Sequence, residues 1–379
     1  MSTLEELRAP AAYLFLVYAS CFLLYIVVPG RRVSGYVRNA RGKPLLYRLN
    51  GLRVFLLTIC VTGCACYLSN TSFTLASSHR MSCCVWACLL GLVVSSLFYL
   101  KGPFEEHMSA HSVPASRDVG DFKNFRKAAR IFFNGWELNP CLGLIDFKMF
   151  FYLAGATMLE INVLSGLVYH YSTFQEISWP LIVYCCEMTW FLVDYVYHEH
   201  VQLYTYDLFA ENVGFKLAWG CLCFYPYFYS IGLPVLYQAK QGDVPYLYYV
   251  LIISIVVFIV GYVLSRGANN QKYKFKIDQK VKKYGFIEQR SIGGKLLVSG
   301  FWGVSRHVNY LGEILMAVGL ALPGGWIGGS LLPWLYPVYY VLLLVRRERD
   351  DNVRCQQKYK YLWDKYTSQV PWRIVPYCY

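Results

Sequence analysis

The chain has 379 residues, of which 56% are hydrophobic, 18% are aromatic and only 16% are charged. Soluble domains carry about 25% charged residues. The composition therefore excludes a water-soluble enzyme fold as the main body, and it also excludes a disordered chain or a fibre. The formal net charge of +13 would suit nucleic-acid binding, but the positions of the basic residues favour another explanation.

Nine segments of the chain are long, apolar and nearly uncharged. A helix needs about 20 such residues to cross a bilayer. The segments lie near residues 11–29, 52–69, 83–100, 149–169, 178–197, 217–236, 246–265, 308–328 and 329–345. We predict an all-α polytopic membrane protein with about nine or ten transmembrane helices. The tenth would be a re-entrant stretch near residues 293–305.

The basic residues concentrate in the loops between these segments. Clusters lie at residues 30–50, 117–130, 266–295 and 346–373, whereas the short connections 170–178 and 237–245 together hold one lysine. Basic loops stay on the cytoplasmic side of a membrane. Topology and contact with anionic membrane lipids therefore explain most of the excess charge, no nucleic-acid partner is expected, and the C-terminus is predicted to be cytoplasmic.

The fourteen cysteines lie mostly inside the apolar segments and lack the paired spacing of a zinc site, so we interpret them as small buried hydrophobes. The pattern of polar and apolar stretches predicts three parts. Residues 1–133 hold the first helices and a polar segment, residues 134–265 hold four further spans, and residues 266–379 hold a polar, basic stretch around a helical pair.

The polar groups with the clearest functional signal lie on and after the fifth apolar segment. Ionisable groups at such positions are costly and are functional by default. They are Glu187, Asp194, His198, Glu199, His200, Asp207 and Glu211. Asp194 and His198 are four residues apart and are expected to pair. The two histidines of the His-Glu-His run point to different faces of a helix, so no metal site is predicted.

Two of these carboxyl groups are candidate proton donors. A carboxyl group in an apolar pocket has a raised pKa and can stay protonated near neutral pH. Glu199 and Asp207 are the candidates, and Tyr204 and Tyr206 are candidate phenolic relays beside them. The alternative is that these groups form a structural polar network that holds the helices together.

A second candidate set lies in the basic stretches near the C-terminus. Lys272 and Lys276 are one helical turn apart, Trp302 offers a stacking face, and Arg347 follows the helical pair. Lysine and arginine recognise phosphates, so the set would suit a nucleotide. No GxGxxG unit follows a strand, which excludes a Rossmann site. The alternative is a surface that binds anionic lipid headgroups. The positive charge of these residues, taken alone, favours this alternative over a nucleotide site.

Four motifs, in order over residues 134–379, resemble the signatures of the sterol reductase family. The first is Glu137-Leu138-Asn139-Pro140 with Asp146-Phe147-Lys148, and the second is residues 267–272 (GANNQK). The third is residues 296–313 (LLVSGFWGVSRHVNYLGE), and the fourth runs from Arg349 to Tyr377. The family includes the delta-14, delta-7 and delta-24(28) sterol reductases and the membrane half of the lamin B receptor.

The resemblance implies reduction of a sterol carbon–carbon double bond by NADPH, on a bundle of about ten membrane helices. It also implies a multi-pass protein of the endoplasmic reticulum that takes its sterol from the bilayer. A cytoplasm-facing nucleotide pocket in the C-terminal part would meet a sterol pocket. The implied cofactor contacts are Lys272, Lys276, Leu297, Trp302, Asn309, Tyr310, Asp351, Cys355, Tyr359 and Tyr366, with Arg347 beside them.

Three positions depart from the family pattern. Lys276 stands where arginine is common and keeps the charge without the bidentate fork. Phe301 replaces a common tryptophan, and His198-Glu199 replaces the usual Asn-Glu pair beside the proposed acid. The expected chemistry is protonation of the alkene followed by hydride transfer from NADPH.

The third and fourth motifs look closer to the delta-14 and delta-7 branches, and we favour delta-14. Delta-7 and delta-24(28) reduction stay open as alternatives. A non-catalytic membrane scaffold like the lamin B receptor is the alternative of another class.

Overall fold

The structure is a computed structural model that describes residues 3–39, 41–103, 125–176, 178–240, 246–278 and 282–379. Its long helices are α1 (Thr3–Val27), α2 (Gly51–Leu68), α4 (Arg80–Lys101), α5 (Phe125–Asn134), α6 (Phe147–Phe174), α7 (Trp179–Tyr197), α13 (Leu247–Ile277), α15 (Val308–Leu322), α16 (Leu335–Tyr359) and α17 (Tyr361–Gln369). The short helices are α3 (Leu75–Ser78), α8 (Glu199–Gln202), α9 (Tyr206–Ala210), α10 (Phe215–Trp219), α11 (Tyr225–Phe228), α12 (Leu233–Tyr237) and α14 (Phe301–Val304).

Four antiparallel hairpins interrupt the helices. The strands pair as β1 (Arg31–Arg38) with β2 (Pro44–Leu49), β3 (Cys141–Leu142) with β4 (Ile145–Asp146), β5 (Lys283–Tyr284) with β6 (Ile287–Glu288), and β7 (Ser291–Ile292) with β8 (Leu296–Leu297). All four lie outside the apolar segments. They are the only strands among the residues that the structure describes.

Six helices of the described chain are long and apolar enough to cross a membrane. They cover Arg8–Val27, Gly51–Leu68, Arg80–Lys101, Phe147–Phe174, Leu247–Ile277 and Val308–Trp326. Each coincides with a predicted apolar segment, and the predicted all-α polytopic membrane fold is confirmed.

The other three predicted segments are helical but have a different character. Helix α7 carries Glu187 and Asp194 within its 19 residues. The segment near 217–236 is broken into α10, a π-helical turn at Gly220–Phe224, α11 and α12. The first half of α16 is apolar and its second half is charged. Residues 293–305, proposed as a tenth span, instead form part of the β7–β8 hairpin and the short helix α14. The count of nine or ten spans stays a prediction.

The chain divides into two compact units, Met1–Ile177 with Met188–Ser230, and Ser178–Glu187 with Ile231–Tyr379. In the first unit, α1 packs on α2, α4 and α6, and α6 also contacts α3 and α11. Most residues of α6 are buried, so this helix forms the centre of the first unit.

The second unit is built on the pair α13 and α15. A β-carbon on Gly312 would stand only 2.4 Å from the backbone nitrogen of Ser265, so the two helices touch backbone to backbone. Small residues allow this approach between membrane helices. Helix α16 packs on α15, and α17 packs on α16.

The β1–β2 hairpin connects the ends of two candidate spans, α1 and α2. Its alternating side chains Val37, Leu45 and Tyr47 are buried, whereas Leu46 is exposed. The buried face joins a core that includes Leu203 and Leu208. We predicted these residues only as a basic loop. The hairpin therefore packs on the segment that carries the candidate acids.

Candidate active site and cofactor site

A cleft in the first unit contains one of the two candidate proton donors. The cleft holds about 270 Å³ of empty space, and its lining is mostly apolar. The lining residues are Tyr25, Gly51, Met149, Tyr152, Leu153, Tyr195, Val196, Glu199 and Gln202. The 270 Å³ counts open solvent, and the enclosed room is only about 10 Å³, which is about the size of one water molecule. The cleft is therefore narrow, and a sterol would have to widen it.

Glu199 begins the short helix α8, directly after α7. Its Oε1 and Oε2 accept the backbone N–H of Gly51 at 3.2 and 3.1 Å. Burial raises the pKa of Glu199 to about 7, although the Gly51 hydrogen bond favours the charged form. A carboxyl group with this pKa is half protonated at neutral pH and can act as a general acid.

Asp207, Tyr204 and Tyr206 lie in the same unit but are not among the residues that line this cleft. Asp207 lies in α9, and Lys148 Nζ donates to its carbonyl oxygen and to that of Leu208, at 3.1 Å each. The ring of Tyr204 packs on Tyr36, with centroids 5.9 Å apart, and Tyr206 packs on Phe209 at the same distance. These three roles stay predictions, and the structure brings Glu199 alone of the four candidates to the cleft.

The expected pairing of Asp194 and His198 is confirmed. His198 Nδ1 lies 2.9 Å from Asp194 Oδ1. Across the described ranges, no group of three or more His, Cys, Asp or Glu side chains could hold a metal ion. This pair lies next to Glu199 in the chain, and the wider polar network that we considered as the alternative stays a prediction.

Sequence reasoning missed several residues of the cleft. Tyr25 lies in the first span, and Gly51 starts the second, 148 residues before Glu199. Gln202 Nε2 donates to the carbonyl oxygen of Tyr195 at 2.6 Å and so ties α8 to α7. No local pattern marks these residues, because an apolar span has the same kind of sequence whether or not it lines a ligand site.

The candidate cofactor residues lie on neighbouring elements of the second unit. Lys272 and Lys276 lie near the end of α13, Leu297 in β8, Trp302 in α14, Asn309 and Tyr310 in α15, Arg347, Asp351, Cys355 and Tyr359 in α16, and Tyr366 in α17. Leu297 and Trp302 share one core cluster, and Cys355, Tyr359 and Tyr366 share another.

Three further lysines lie near Lys276. Lys276 lies within electrostatic range of Lys272, Lys295 and Lys358, and its Nζ donates to the carbonyl oxygen of Lys295 at 3.3 Å. Like charges so close repel one another, and an anionic ligand relieves this repulsion. The donor chemistry therefore fits a ligand with several phosphates.

Trp302 and Asn309 are two further candidate contacts, on α14 and α15. Lys272 Nζ stands 5.3 Å from the centroid of the Trp302 ring, and Trp302 Nε1 donates to the carbonyl oxygen of Ala268 at 2.8 Å. Asn309 Nδ2 donates to Asn269 at 3.2 Å, whereas Asn309 Oδ1 is buried and accepts no hydrogen bond from any described residue. An unsatisfied buried acceptor is rare in proteins and calls for a partner, which a ligand can supply.

The groups around Asp351 are held neutral. Burial lowers the pKa of His307 to about 4, and the Asp351 carboxylate 3.9 Å away only partly opposes this. Burial also raises the pKa of Cys355 to about 12. Cys355 is therefore a thiol and His307 a neutral imidazole at pH 7, and neither suits nucleophilic or acid chemistry. His307 stacks on Tyr310 with ring centroids 4.8 Å apart.

The last residues of the chain fold back on the start of α15. Arg306 donates to Asn352 at 3.1 Å and to the carbonyl oxygen of Pro371 at 3.0 Å. Arg373 pairs with Glu348, a fully buried carboxylate, at 3.2 Å. Much of the fourth sequence motif thus stabilises the unit, and these structural roles were not expected.

These features define a class, namely a polytopic membrane protein with a buried acid beside an apolar cleft and a separate cationic set suited to a phosphate-bearing ligand. A family model described as the Ergosterol biosynthesis ERG4/ERG24 family matches residues 2–379. The chain belongs to this family.

Curated relatives match over nearly the whole chain. It is 33% identical to a Delta(14)-sterol reductase of Arabidopsis thaliana, over 93% of this chain and 91% of the relative. It is 30% identical to a Delta(14)-sterol reductase of Methylotuvimicrobium alcaliphilum, over 96% and 82%. It is also 30% identical to the Delta(14)-sterol reductase LBR of Gallus gallus, over 92% of this chain and 53% of the relative.

Proposed function

We propose that this chain is an NADPH-dependent sterol reductase that reduces the delta-14 double bond of a sterol. The observation that carries the proposal is the position of the Glu199 carboxyl at a mostly apolar cleft, where burial raises its pKa to about 7 and leaves it half protonated at neutral pH. The names of the relatives, delta(14)-sterol reductases at 30–33% identity, support the sterol substrate and the choice of double bond.

Glu199 acts as the general acid in this proposal. It transfers its proton to the less substituted carbon of the alkene, which leaves a tertiary cation on the neighbouring carbon. The aromatic rings of Tyr25, Tyr152 and Tyr195 line the same cleft and present π-electron density to a cation. Asp207 is the second candidate acid, with Tyr204 and Tyr206 as relays, and it would act from outside this cleft.

NADPH, when bound, supplies the hydride that completes the reduction. Lys272, Lys276, Lys295 and Lys358 would hold its phosphates, since their charges gather at one place in the second unit. Trp302, Asn309 and the Tyr359–Tyr366 group would hold its ring systems. Residues 266–379 would then form the nucleotide-binding part, and residues 134–265 the sterol-binding part.

The six span-length helices support a protein that takes its sterol directly from the bilayer. We place the chain in the endoplasmic reticulum with a cytoplasmic C-terminus, because basic loops border the spans on one side. Surrounding membrane lipids are its other expected partners.

The test is an activity panel with the purified full-length chain. The protein is incubated with NADPH, or with NADH, and with matched delta-14, delta-7 and delta-24(28) sterols, and products are measured by mass spectrometry. The proposal predicts a gain of two mass units only with the delta-14 sterol, and a preference for NADPH. Reduction of another sterol would instead assign the chain to that branch. No reduction of any sterol, and no NADPH binding, would favour a non-catalytic scaffold.

A further inference from the structure

Several buried polar groups of the first unit gather at the start of α6, where neither the acid nor the nucleotide site needs them. They are Tyr47, Glu137, Asn139, Asp146 and Lys148, with the half-buried Cys141 beside them, and we call these six residues the Asp146 cluster. Four of its members belong to the first family motif. Buried ionisable groups cost folding free energy unless they are paired, so their presence calls for an explanation.

Asp146 is the centre of this cluster. Its Oδ1 accepts the backbone N–H of Met149 at 2.8 Å and so caps α6, and its Oδ2 accepts the thiol of Cys141 at 3.3 Å. Burial raises the pKa of Asp146 above its ordinary value. A helix cap explains one oxygen of this residue but does not require an ionisable group, because asparagine caps equally well.

Two atoms of the cluster point to internal water. Asn139 Oδ1 and Tyr47 Oη are buried and have no hydrogen-bond partner among the described residues. Buried polar atoms without a protein partner are the usual sites of ordered internal water, which typically makes about three hydrogen bonds. Tyr47 lies within electrostatic range of Asp146 and Cys141, so the cluster is compact.

Tyr25 connects the cluster to the cleft that contains Glu199. Its hydroxyl donates to the backbone oxygen of Asp146 at 3.4 Å, and its ring lines the cleft. Met149, whose N–H binds Asp146, lines the cleft as well. The Asp146 cluster and the cleft therefore share a wall formed by Tyr25 and Met149.

The cluster also lies beside the aqueous end of the helices. The β1–β2 hairpin, which supplies Tyr47, connects the ends of the spans α1 and α2 and carries exposed arginines. Four ionisable groups lie nearby, namely Glu137, Lys148, Asp207 and Glu211. Asp207 and Glu211 are within electrostatic range of Lys148. The cluster therefore lies at the ends of α1, α2 and α6, next to the polar hairpin.

We propose that the Asp146 cluster delivers to Glu199, by way of Tyr25, the proton that each sterol reduction consumes. The proposal rests on the proposed function. Each turnover adds one hydride and one proton to the alkene, and Glu199 becomes a carboxylate when it gives up its proton. The Tyr25 hydroxyl lies within electrostatic range of both Glu199 and Asp146. It turns from the Asp146 backbone oxygen to give its proton to Glu199, and it takes one in exchange, through internal water, from the carboxyl of Asp146. Bulk water then restores the proton on Asp146.

The test compares three variants of the full-length protein with NADPH and the reduced sterol. Asp146→Asn keeps the helix cap and removes the ionisable group. Tyr25→Phe removes only the relay hydroxyl. The matched control is Glu160→Gln, which alters a buried carboxyl on the same helix that binds Thr189 and does not line the cleft.

We expect Asp146→Asn and Tyr25→Phe to lower kcat by about tenfold or more, as loss of a proton-transfer group does. KM for sterol and for NADPH should stay within about twofold of the wild-type values. The solvent deuterium isotope effect on kcat should rise, because proton delivery becomes rate-limiting. A purely structural role of Asp146 would leave this isotope effect unchanged. Glu160→Gln should keep the wild-type kcat and isotope effect.

A folded Asp146→Asn variant with wild-type kcat would overturn the proposal, as would an equal loss in Glu160→Gln. If Asp146→Asn does not fold, Tyr25→Phe decides, and wild-type kcat in that variant would overturn the relay. A wild-type chain that reduces no sterol would overturn the proposed function and the relay together. Normal turnover in both relay variants would overturn the relay alone.

Discussion

Both carboxylate oxygens of Glu199 lie within 3.2 Å of the backbone nitrogen of Gly51, although 148 residues separate the two in the chain. A β-carbon on residue 51 would stand 2.6 Å from Glu199 Oε2. The first residue of the second span therefore fixes the position of the candidate acid, and only glycine leaves room for it.

This relationship predicts the effect of a single methyl group. Gly51→Ala should displace the Glu199 carboxyl and lower kcat by about tenfold, because a misplaced catalytic group loses its orientation. The measurement is steady-state kinetics of sterol reduction, with the thermal midpoint as a check on folding.

Gly63→Ala is the matched control for this substitution. It lies in the same helix, and a β-carbon there would meet no atom within 4 Å. It should keep the wild-type kcat and stabilise the helix by about 1 kcal/mol. A wild-type kcat in Gly51→Ala would contradict the role of this contact.

The pH dependence of turnover follows from the Glu199 carboxyl. Its pKa of about 7 is raised by burial, and the acid acts in its protonated form, so kcat should be highest below pH 7 and fall as the pH rises through 7. Glu199→Gln should abolish this fall of kcat near pH 7, which we call the limb of the pH profile, and should lower kcat by about 100-fold or more. The measurement is the pH profile of kcat at saturating sterol and NADPH.

Asp207→Asn distinguishes the two candidate acids. Asp207 does not line the cleft, so this variant should retain the limb near pH 7. If Asp207→Asn removes the limb and Glu199→Gln retains it, Asp207 is the acid.

The lysine cluster predicts how the nucleotide binds. Lys272→Gln and Lys276→Gln should each raise the Kd for NADPH by about tenfold, the usual loss for one charge-assisted contact. Added salt should weaken binding to the wild-type chain. The measurement is NADPH titration by fluorescence at two ionic strengths.

Two further variants serve as controls for this prediction. Lys276→Arg keeps the charge and should bind NADPH at least as tightly as the wild type. Lys365→Gln alters an exposed lysine on α17 that lies over Tyr361, and it should leave the Kd unchanged. Equal losses in all lysine variants would indicate a diffuse charge effect rather than a site.

The Arg373–Glu348 pair predicts a stability effect. Glu348 is fully buried, whereas Arg373 is partly exposed. Arg373→Ala should cost at most about 3 kcal/mol, the low end for breaking a buried pair, because Arg373 is partly exposed and the Tyr379 hydroxyl still donates to the Glu348 carboxylate. The measurement is the thermal midpoint of the detergent-solubilised protein.

A double variant tests the cause of this loss. Glu348→Gln combined with Arg373→Gln removes the buried charge together with its partner and should recover part of the thermal midpoint. Arg41→Ala, which removes an exposed cation from the β1–β2 hairpin, should not change it. If the double variant is no more stable than Arg373→Ala, the buried charge is not the cause.

The sequence predicted the membrane helices well because their signal is local. Six of nine apolar segments became helices of span length, and the Asp194–His198 pair followed from helix spacing alone. The broken segment near residues 217–236 was harder to predict, because the π-helical turn at Gly220–Phe224 depends on the helices α4 and α6 that pack on it.

The candidate site depended on contacts that no local pattern reveals. The many arginines of residues 30–50 led us to predict a basic loop and not the β1–β2 hairpin. The strand pattern is nevertheless present, because Val37, Leu45 and Tyr47 alternate with exposed residues. Its partners lie some 160 residues later, at Leu203 and Leu208. The approach of Gly51 to Glu199 and the position of Tyr25 in the cleft are likewise long-range. The sequence therefore predicted Glu199 as a candidate acid, but it did not predict which residues line the cleft around it.

The origin of the two added hydrogens tests the central claim most directly. The sterol is reduced once with NADPH carrying deuterium at the transferred C4 position in ordinary water, and once with ordinary NADPH in deuterium oxide, and the product is analysed by mass spectrometry and NMR. We predict one deuterium at the tertiary carbon in the first experiment and one at the neighbouring carbon in the second. Product that carries no deuterium from NADPH, or that takes both hydrogens from one source, would contradict the account.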